Sequence, residues 1–385
     1  MSKILKKIKK GIKNPKLIQP YLEMKFKKKI FSPLLYHLTN GKYSTPPYRI
    51  GIEVNSTCNL RCKMCDIGQQ RSNMQFYKNL KVGGELPLNI LINLIDDVKK
   101  FHPRIVINTI EPLLYKNLIE LISYIVQNKL VCSVTTNGLL LENFAYELVE
   151  TRLPELWISI DGPPEIHNEI RGVPNSFEKA YKGIKMIIEK KKQLKVSMPT
   201  IGIAYTISNY NYKYLEETAS IFKKLGVNRM VYTHLNFIDD YMVKMHNKHY
   251  AQFFGKVRPS TISAVDPKKV DVDVLTDQII LLKKKYAGFI NFLPDIETKE
   301  EVKIYYHDSS KFVKNNKCKI AWKNAQILSN GDVIPASRCF HIVMGNIYEK
   351  PFTKIWNDAP FRNFRKNIKK IGTTPACSRC CGLFG

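Results

Sequence analysis

From Tyr48 onward the apolar positions of this chain follow two alternating rhythms. Short apolar runs recur at 48–54, 104–110, 131–136, 155–161, 199–207 and 229–235, the first of them in two-residue alternation, and each predicts a strand. Between them, apolar residues return every three or four positions over 88–101, 113–128, 141–151, 177–191 and 212–225, which predicts helices. Strands alternating with helices build a parallel sheet, because right-handed crossovers place each helix outside it. Six such units suit an incomplete barrel or a doubly wound sheet equally well. In both, the loops at the strand C-terminal ends carry the chemistry.

The flanks break this rhythm. Residues 1–47 hold twelve lysines and one acid, Glu23, with Ile4, Leu5, Ile8 and Ile12 at helical spacing and Pro15, Pro20 and Pro33 as breaks. Such a start predicts either a contact of residues 1–29 with an acidic membrane surface or a solvated extension packed loosely on the barrel. Residues 236–310 are less regular, with a helical stretch at 274–285, and read as a connector that closes over the substrate. From residue 311 the pattern turns to short strands and turns, a small C-terminal domain holding five of the nine cysteines.

Charge and composition narrow the classes. The formal net charge of +28 favours anionic partners without naming one. Nucleic-acid binding would need aromatics interleaved with arginines on one surface, whereas this charge is mostly lysine and heaviest in residues 1–47, which argues against it. Neither a secretory pattern nor a run of ~18 apolar residues is visible. The cysteines cluster in ligand spacings, so a reducing cytoplasm is expected.

The candidate chemistry starts at Cys58-Asn-Leu-Arg-Cys62-Lys-Met-Cys65, just after the first strand. Structural zinc sites use two ligand pairs, and an electron-carrying iron–sulfur cube uses four thiolates. Three thiols on one loop leave one iron of a cube open to a substrate or cofactor.

The C-x3-C-x2-C spacing resembles the signature of the radical S-adenosylmethionine (SAM) superfamily. The resemblance implies a partial (β/α)6 barrel and a [4Fe–4S] cluster on Cys58, Cys62 and Cys65 whose open iron chelates SAM. A Gly-Gly-Glu contacts the SAM amino group in that family. Gly83-Gly84-Glu85 precedes a helix and reads as an ordinary turn, whereas Asn108-Thr109-Ile110-Glu111-Pro112 ends strand two and points to Glu111, with Thr109 and Ile110 in place of the glycines. Thr135-Thr136-Asn137-Gly138 looks like the turn near the ribose, and Met64 stands where relatives place an aromatic beside the adenine. Ser159-Ile160-Asp161-Gly162-Pro163, His167, Arg171-Gly172 and Ser176-Phe177 are similar to the SPASM/twitch branch. There a serine and an arginine grip the SAM carboxylate, which implies Ser159 and Arg171; a guanidinium fork suits a carboxylate. Asp161 and His167 read equally as structural.

The C-terminal cysteines also resemble that branch. Cys318, Cys339, Cys377 and Cys380, with Cys381 spare, imply one auxiliary [4Fe–4S] cluster, or on spacing alone a zinc ribbon. Ala336 occupies a usual ligand position, so a twitch-like domain with a single cluster is expected. The implied activity is reductive cleavage of SAM to a 5′-deoxyadenosyl radical that takes hydrogen from a substrate C–H bond, with flavodoxin or ferredoxin as electron donor. Residues 1–47 lack the strands of a leader-binding domain, which favours a sugar, polyol or lipid-linked small molecule over a ribosomally made peptide.

Overall fold

The computed structural model describes residues 32–69, 84–108, 110–262, 265–314, 317–336 and 342–380. Among them are strands β1 (Arg49–Ile52), β2 (Arg104–Ile107), β3 (Cys132–Thr136), β4 (Glu155–Ser159), β5 (Thr200–Ile207), β6 (Arg229–His234), β7 (Ile290–Leu293), β8 (Asn324–Ile327), β9 (Asp332–Ile334) and β10 (Gly345–Asn346). The longer helices are α1 (Ser32–Leu38), α2 (Leu88–Val98), α3 (Leu118–Gln127), α4 (Leu141–Glu150), α5 (Pro164–Arg171), α6 (Ser176–Gln193), α7 (Leu215–Leu225), α8 (Asp240–His249), α9 (Val272–Lys285), α10 (Lys299–His307) and α11 (Ala359–Ile371).

All ten strands join one sheet in the order β10-β9-β8-β1-β2-β3-β4-β5-β6-β7. The six strands and five helices read from periodicity are all present. Two boundaries differ from expectation. The connector 236–310 supplies β7, which pairs parallel with β6. The small C-terminal domain shares the barrel's sheet, because β8 pairs parallel with β1 before β9 turns back antiparallel.

The two faces of this sheet differ in kind. On one face Ile50, Ile52, Ile105, Ile107, Val134, Leu156, Ile158, Ile203 and Tyr232 are wholly covered. Helices supply that cover through apolar stripes such as Phe177, Ala180, Ile184 and Ile187 on α6. The register places Gly51, Ser133, Thr135, Trp157, Ser159, Gly202, Ala204, Thr206 and Thr233 on the other face. Most of these are small or polar, and Thr135, Trp157, Ser159, Ala204, Thr206 and Thr233 are only half-buried. Small groups on the concave side leave a lumen instead of a packed core.

At the strand starts that lumen is plugged. Glu155 pairs with Arg104 and, at 2.9 Å, with Arg229, whose guanidinium lies 4.4 Å from the centre of the Trp157 ring. Gly202 permits this, because a Cβ there would stand 2.5 Å from Trp157. The lumen therefore opens toward the strand C-terminal ends.

The described part of the N-terminal extension does not lie loosely on the barrel, as one reading expected. It is fastened to the C-terminal segment instead. Trp322 Nε1 donates to Gly41 O at 2.8 Å, Trp356 Nε1 to Thr45 O at 2.8 Å, and Asn357 exchanges two hydrogen bonds with Ser44. The lysine-rich residues 1–29 lie outside the described residues.

Candidate cofactor and cluster site

The loop that leaves β1 is held along its length by backbone hydrogen bonds. Glu53 N donates to Ile327 O at 2.9 Å, Ser56 N to Gly84 O at 2.9 Å, and Lys63 N to Ile170 O at 2.8 Å, at the end of α5. Gly172 closes α5 at φ +69°, where a Cβ would also press to 3.1 Å on Arg61 O. The loop presents Cys58, Cys62 and Cys65 as free, half-buried thiols. Cys65 Sγ accepts from Gly68 N at 3.3 Å.

The electrostatics of the loop suit a ligand set awaiting a cation. Burial pushes the Cys58 thiol up and the Cys62 thiol up to about 12; neighbouring thiols add to the rise, and Arg171 opposes it. Binding of a metal group would therefore expel protons from these sulfurs. Among the described residues no three His, Cys, Asp or Glu side chains converge on a single ion. Three thiols on one loop are a soft donor set that fits an iron–sulfur cluster with one iron left open.

Arg171 sits at the centre of the arrangement. Its Nη2 pairs with Asp161 Oδ2 at 2.5 Å, and its Nη1 lies 3.9 Å from Cys62 Sγ. Its Nε is buried and has no partner among the described residues. Asp161 is fixed in turn by Thr206 N, at 3.1 Å. Burial pushes the Asp161 carboxyl up, while Arg171 pulls it back. The Asp161 backbone N–H donates to His167 Nδ1 at 3.1 Å, and its carbonyl accepts from Asn211 Nδ2 at 2.9 Å. His167 is wholly buried and held well below its ordinary pKa by burial, so its ring is a neutral acceptor. Of the two open readings, His167 takes the structural one.

Glu111 is engaged differently from the expected amino-group contact. Its carboxylate has no exposed surface and accepts from Thr136 Oγ1 at 2.6 Å, Asn137 N at 2.7 Å and Leu113 N at 3.0 Å. Its backbone carbonyl accepts from Asn55 Nδ2 at 3.0 Å. Glu111 therefore clasps the β2 and β3 turns to the cysteine loop. Asn137 continues the clasp, donating from Nδ2 to Asn59 Oδ1 at 2.8 Å. Ser159 ends β4 on the lumen side, half-buried, and Met64 packs its thioether against the core. Thr109 and Gly83 lie outside the described residues.

Three site residues escape sequence reasoning. Asp66, directly after Cys65, is buried and accepts from Ser260 Oγ at 2.9 Å and Thr261 N at 3.1 Å. Thr261 sits at φ +71°, a strained conformation for a β-branched residue. Glu53, on the lumen face after β1, is buried against Ser329, whose Oγ is 3.2 Å away, and burial raises its pKa to about 7. A lone acid inside an apolar strand run was the one available signal for Glu53.

Farther along the sheet, Cys377 and Cys380 share one short turn in which Cys380 N donates to Cys377 O at 3.0 Å. Cys318 stands near enough to Cys377 to feel its charge, and burial raises its pKa to about 11. Cys339 and Cys381 lie outside the described residues. Between the paired cysteines, the buried Arg379 donates to the carbonyls of Ile304, Tyr305, Asp308 and Lys311 at 2.6–2.9 Å. Ile304 and Tyr305 belong to the last turn of α10.

Comparison with known proteins agrees with this arrangement. Residues 52–222 match the model of the radical SAM superfamily, and residues 318–381 match SPASM, an iron–sulfur cluster-binding domain. A cofactor-modifying protein for tungsten-containing aldehyde ferredoxin oxidoreductase from Pyrococcus furiosus is 23% identical over 86% of each chain. An Fe-coproporphyrin III synthase from Methanosarcina barkeri is 24% identical over 84% of this chain and 78% of its own. Among solved structures, Streptococcus suis SuiB bound to its precursor peptide SuiA superposes with a TM-score of 0.58 at 17% identity, covering 85% of this chain and 68% of that one. The protein anSMEcpe with bound SAM and a peptide gives 0.56 at 18% identity, covering 83% and 82%.

Proposed function

This chain belongs to the radical SAM superfamily, in the branch with a C-terminal SPASM or twitch domain, and from that premise we propose that its substrate is a peptide or protein. It is a radical SAM enzyme whose cofactors are SAM and [4Fe–4S] clusters, one catalytic and one auxiliary. SAM bound at a reduced cluster supplies a carbon radical able to take hydrogen from an unactivated C–H bond.

The protein's own part is to bind, orient and exclude water. In our reading Cys58, Cys62 and Cys65 hold the catalytic cluster. Cys318, Cys339, Cys377 and Cys380 hold the auxiliary one. The unpartnered Arg171 Nε and the lumen-facing Ser159 receive the SAM carboxylate. Asp161 keeps the guanidinium aimed, and the Glu111–Asn137 clasp sets the turns that frame the amino and ribose groups. Met64 offers a polarisable surface to the adenine. A flavodoxin or ferredoxin supplies the electrons.

The observation that carries the peptide reading is the open lumen. Its wall runs from β3 to the edge strand β7, where Asn291 and Leu293 remain exposed. Such a cleft admits an extended chain. The solved structures that share the fold include peptide-bound forms. The expectation of a sugar, polyol or lipid-linked molecule therefore gives way to what the sequence left as the alternative. A tetrapyrrole is the second reading, favoured by the full-length similarity to the Fe-coproporphyrin III synthase.

The test presents the anaerobically reconstituted, reduced enzyme with SAM and, in parallel, peptides from neighbouring reading frames and Fe-coproporphyrin III. A peptide product lighter by two hydrogens, or newly cross-linked, is expected. Modification of the porphyrin alone would sink the peptide reading. Among the described residues no helix is long and apolar enough to cross a membrane.

A further inference from the structure

The function above makes no use of the basic N-terminal extension, and its described end forms an unusual surface. On α1, Leu34 and Leu38 are 52% and 75% exposed, and Leu38 is the most exposed large hydrophobic residue among those described. Their i, i+4 spacing puts them on one face. The neighbouring α11 buries Phe361, Phe364 and Ile368 and turns Lys366, Lys369 and Lys370 to solvent. The two helices are in contact. Lys369 Nζ stands 4.8 Å from the centre of the Tyr36 ring, and Arg362 Nη1 donates to Tyr43 Oη at 2.9 Å. Neither helix contains an acid, and Asp358 at the start of α11 is taken by Lys350.

Charge decides what covers this surface. The chain that runs directly into α1 brings eleven more lysines and one acid within residues 1–29. Folding that segment back, or pairing two copies of the face, would stack cations on cations. A surface that takes exposed leucines and many lysines together is a bilayer with negative headgroups, where lysine stems lie along the interface and each charge adds to the attraction. We propose that the α1–α11 face docks this enzyme on an anionic phospholipid bilayer. The patch lies beside the starts of β1 and β8, while the cysteine loop stands at the other end of β1. Docking therefore leaves the mouth of the lumen clear.

The test uses the full-length, cluster-loaded protein sedimented with vesicles of phosphatidylglycerol and phosphatidylcholine, and with phosphatidylcholine alone. Binding is expected only to the anionic vesicles, weakening as salt rises. Lys366→Glu with Lys370→Glu should lower the partition at least about thirtyfold. Leu34→Glu with Leu38→Glu should lower it at least about tenfold. Both pairs are solvent-facing, so SAM cleavage should match the unmodified enzyme and confirm the fold. Unchanged binding by both variants would place the contact in residues 1–31 alone and overturn the proposal. Equal binding to neutral vesicles, or displacement from anionic vesicles by a short RNA that the same lysines bind more tightly, would also overturn it.

Discussion

The two cysteine sites of this enzyme are built on opposite plans. The triplet proposed to hold the catalytic cluster, Cys58, Cys62 and Cys65, lies on one loop and is buttressed from several sides: Glu111 and Asn137 from β2 and β3, Arg171 and Asp161 from β4 and α5, and Ser260 and Thr261 from beyond β6. The thiols proposed for the auxiliary cluster come from distant segments, and Arg379 ties the turn bearing two of them to the end of α10. The difference teaches where each site is vulnerable. The first should lose its cluster only when its sulfurs go, because no single clasp holds it. The second should fail when Arg379 goes, even with every sulfur in place.

Removing Cys58, Cys62 and Cys65 together tests the first plan and gives the largest effect. The triple alanine variant should bind about half the iron of the parent, one cube in place of two, and form no 5′-deoxyadenosine on reduction. Cleavage that survives in this variant would refute the assignment of the catalytic cluster.

Arg379→Met tests the second plan. The methionine fills the space but removes the guanidinium donors to the carbonyls of residues 304, 305, 308 and 311. Breaking a buried charged network of this kind costs about 3–5 kcal/mol. We expect lower stability to urea and loss of the auxiliary cluster's iron, while SAM cleavage without substrate persists. Retention of both clusters would show that the thiols, not the arginine, hold the turn.

The same contrast explains how much the sequence could reveal. The cysteine loop was legible because its ligands are neighbours in the chain and follow a strand with a clear two-residue rhythm. The clasps were not legible. Asp66 meets Ser260 across 194 residues and Glu53 meets Ser329 across 276, so each pair exists only once the sheet has formed. Strand β7 was missed for a local reason. Only Ile290 and Phe292 are covered in it, and lysine-rich helices flank it, so the alternation is too short to stand out. Glu111 was named from the family pattern of a glutamate at a strand end, whereas its three protein donors come from segments that meet only in the fold.

Glu53 gives a smaller effect that separates burial from function at the β1–β8 seam. Burial raises its pKa in the fold to about 7 from the ordinary glutamate value of 4.5, so the folded protein holds a proton that the unfolded chain releases. This stabilising term is complete below pH ~4.5 and is lost as pH rises through about 7. The span corresponds to about 3 kcal/mol at most. Glu53→Gln keeps the shape and cannot ionise, so its unfolding free energy should fall less between pH 4.5 and 7 than the parent's. Parallel curves would mean that Glu53 is ionised in the folded enzyme, held by a partner stronger than Ser329.

The smallest effect concerns the clasp between the cysteine loop and the connector. Asp66 receives Thr261 N and Ser260 Oγ, and Thr261 is held at φ +71°. A non-glycine residue in that conformation carries about 1–2 kcal/mol of strain. If the Asp66 hydrogen bonds are what keep Thr261 there, the strain and the clasp must be coupled. Asp66→Ala alone should destabilise the protein by about 1–3 kcal/mol, the cost of leaving buried donors unmet. Thr261→Gly removes the strain and should stabilise the parent, in which Asp66 holds the residue at positive φ. Once Asp66 is gone the loop can relax out of the left-handed region, and glycine then has less strain to relieve. The two substitutions should therefore miss additivity by about 1 kcal/mol in a double-mutant cycle read by denaturant unfolding. Strict additivity would show that other contacts of the connector hold Thr261. The catalytic loop would then be independent of the segment beyond β6.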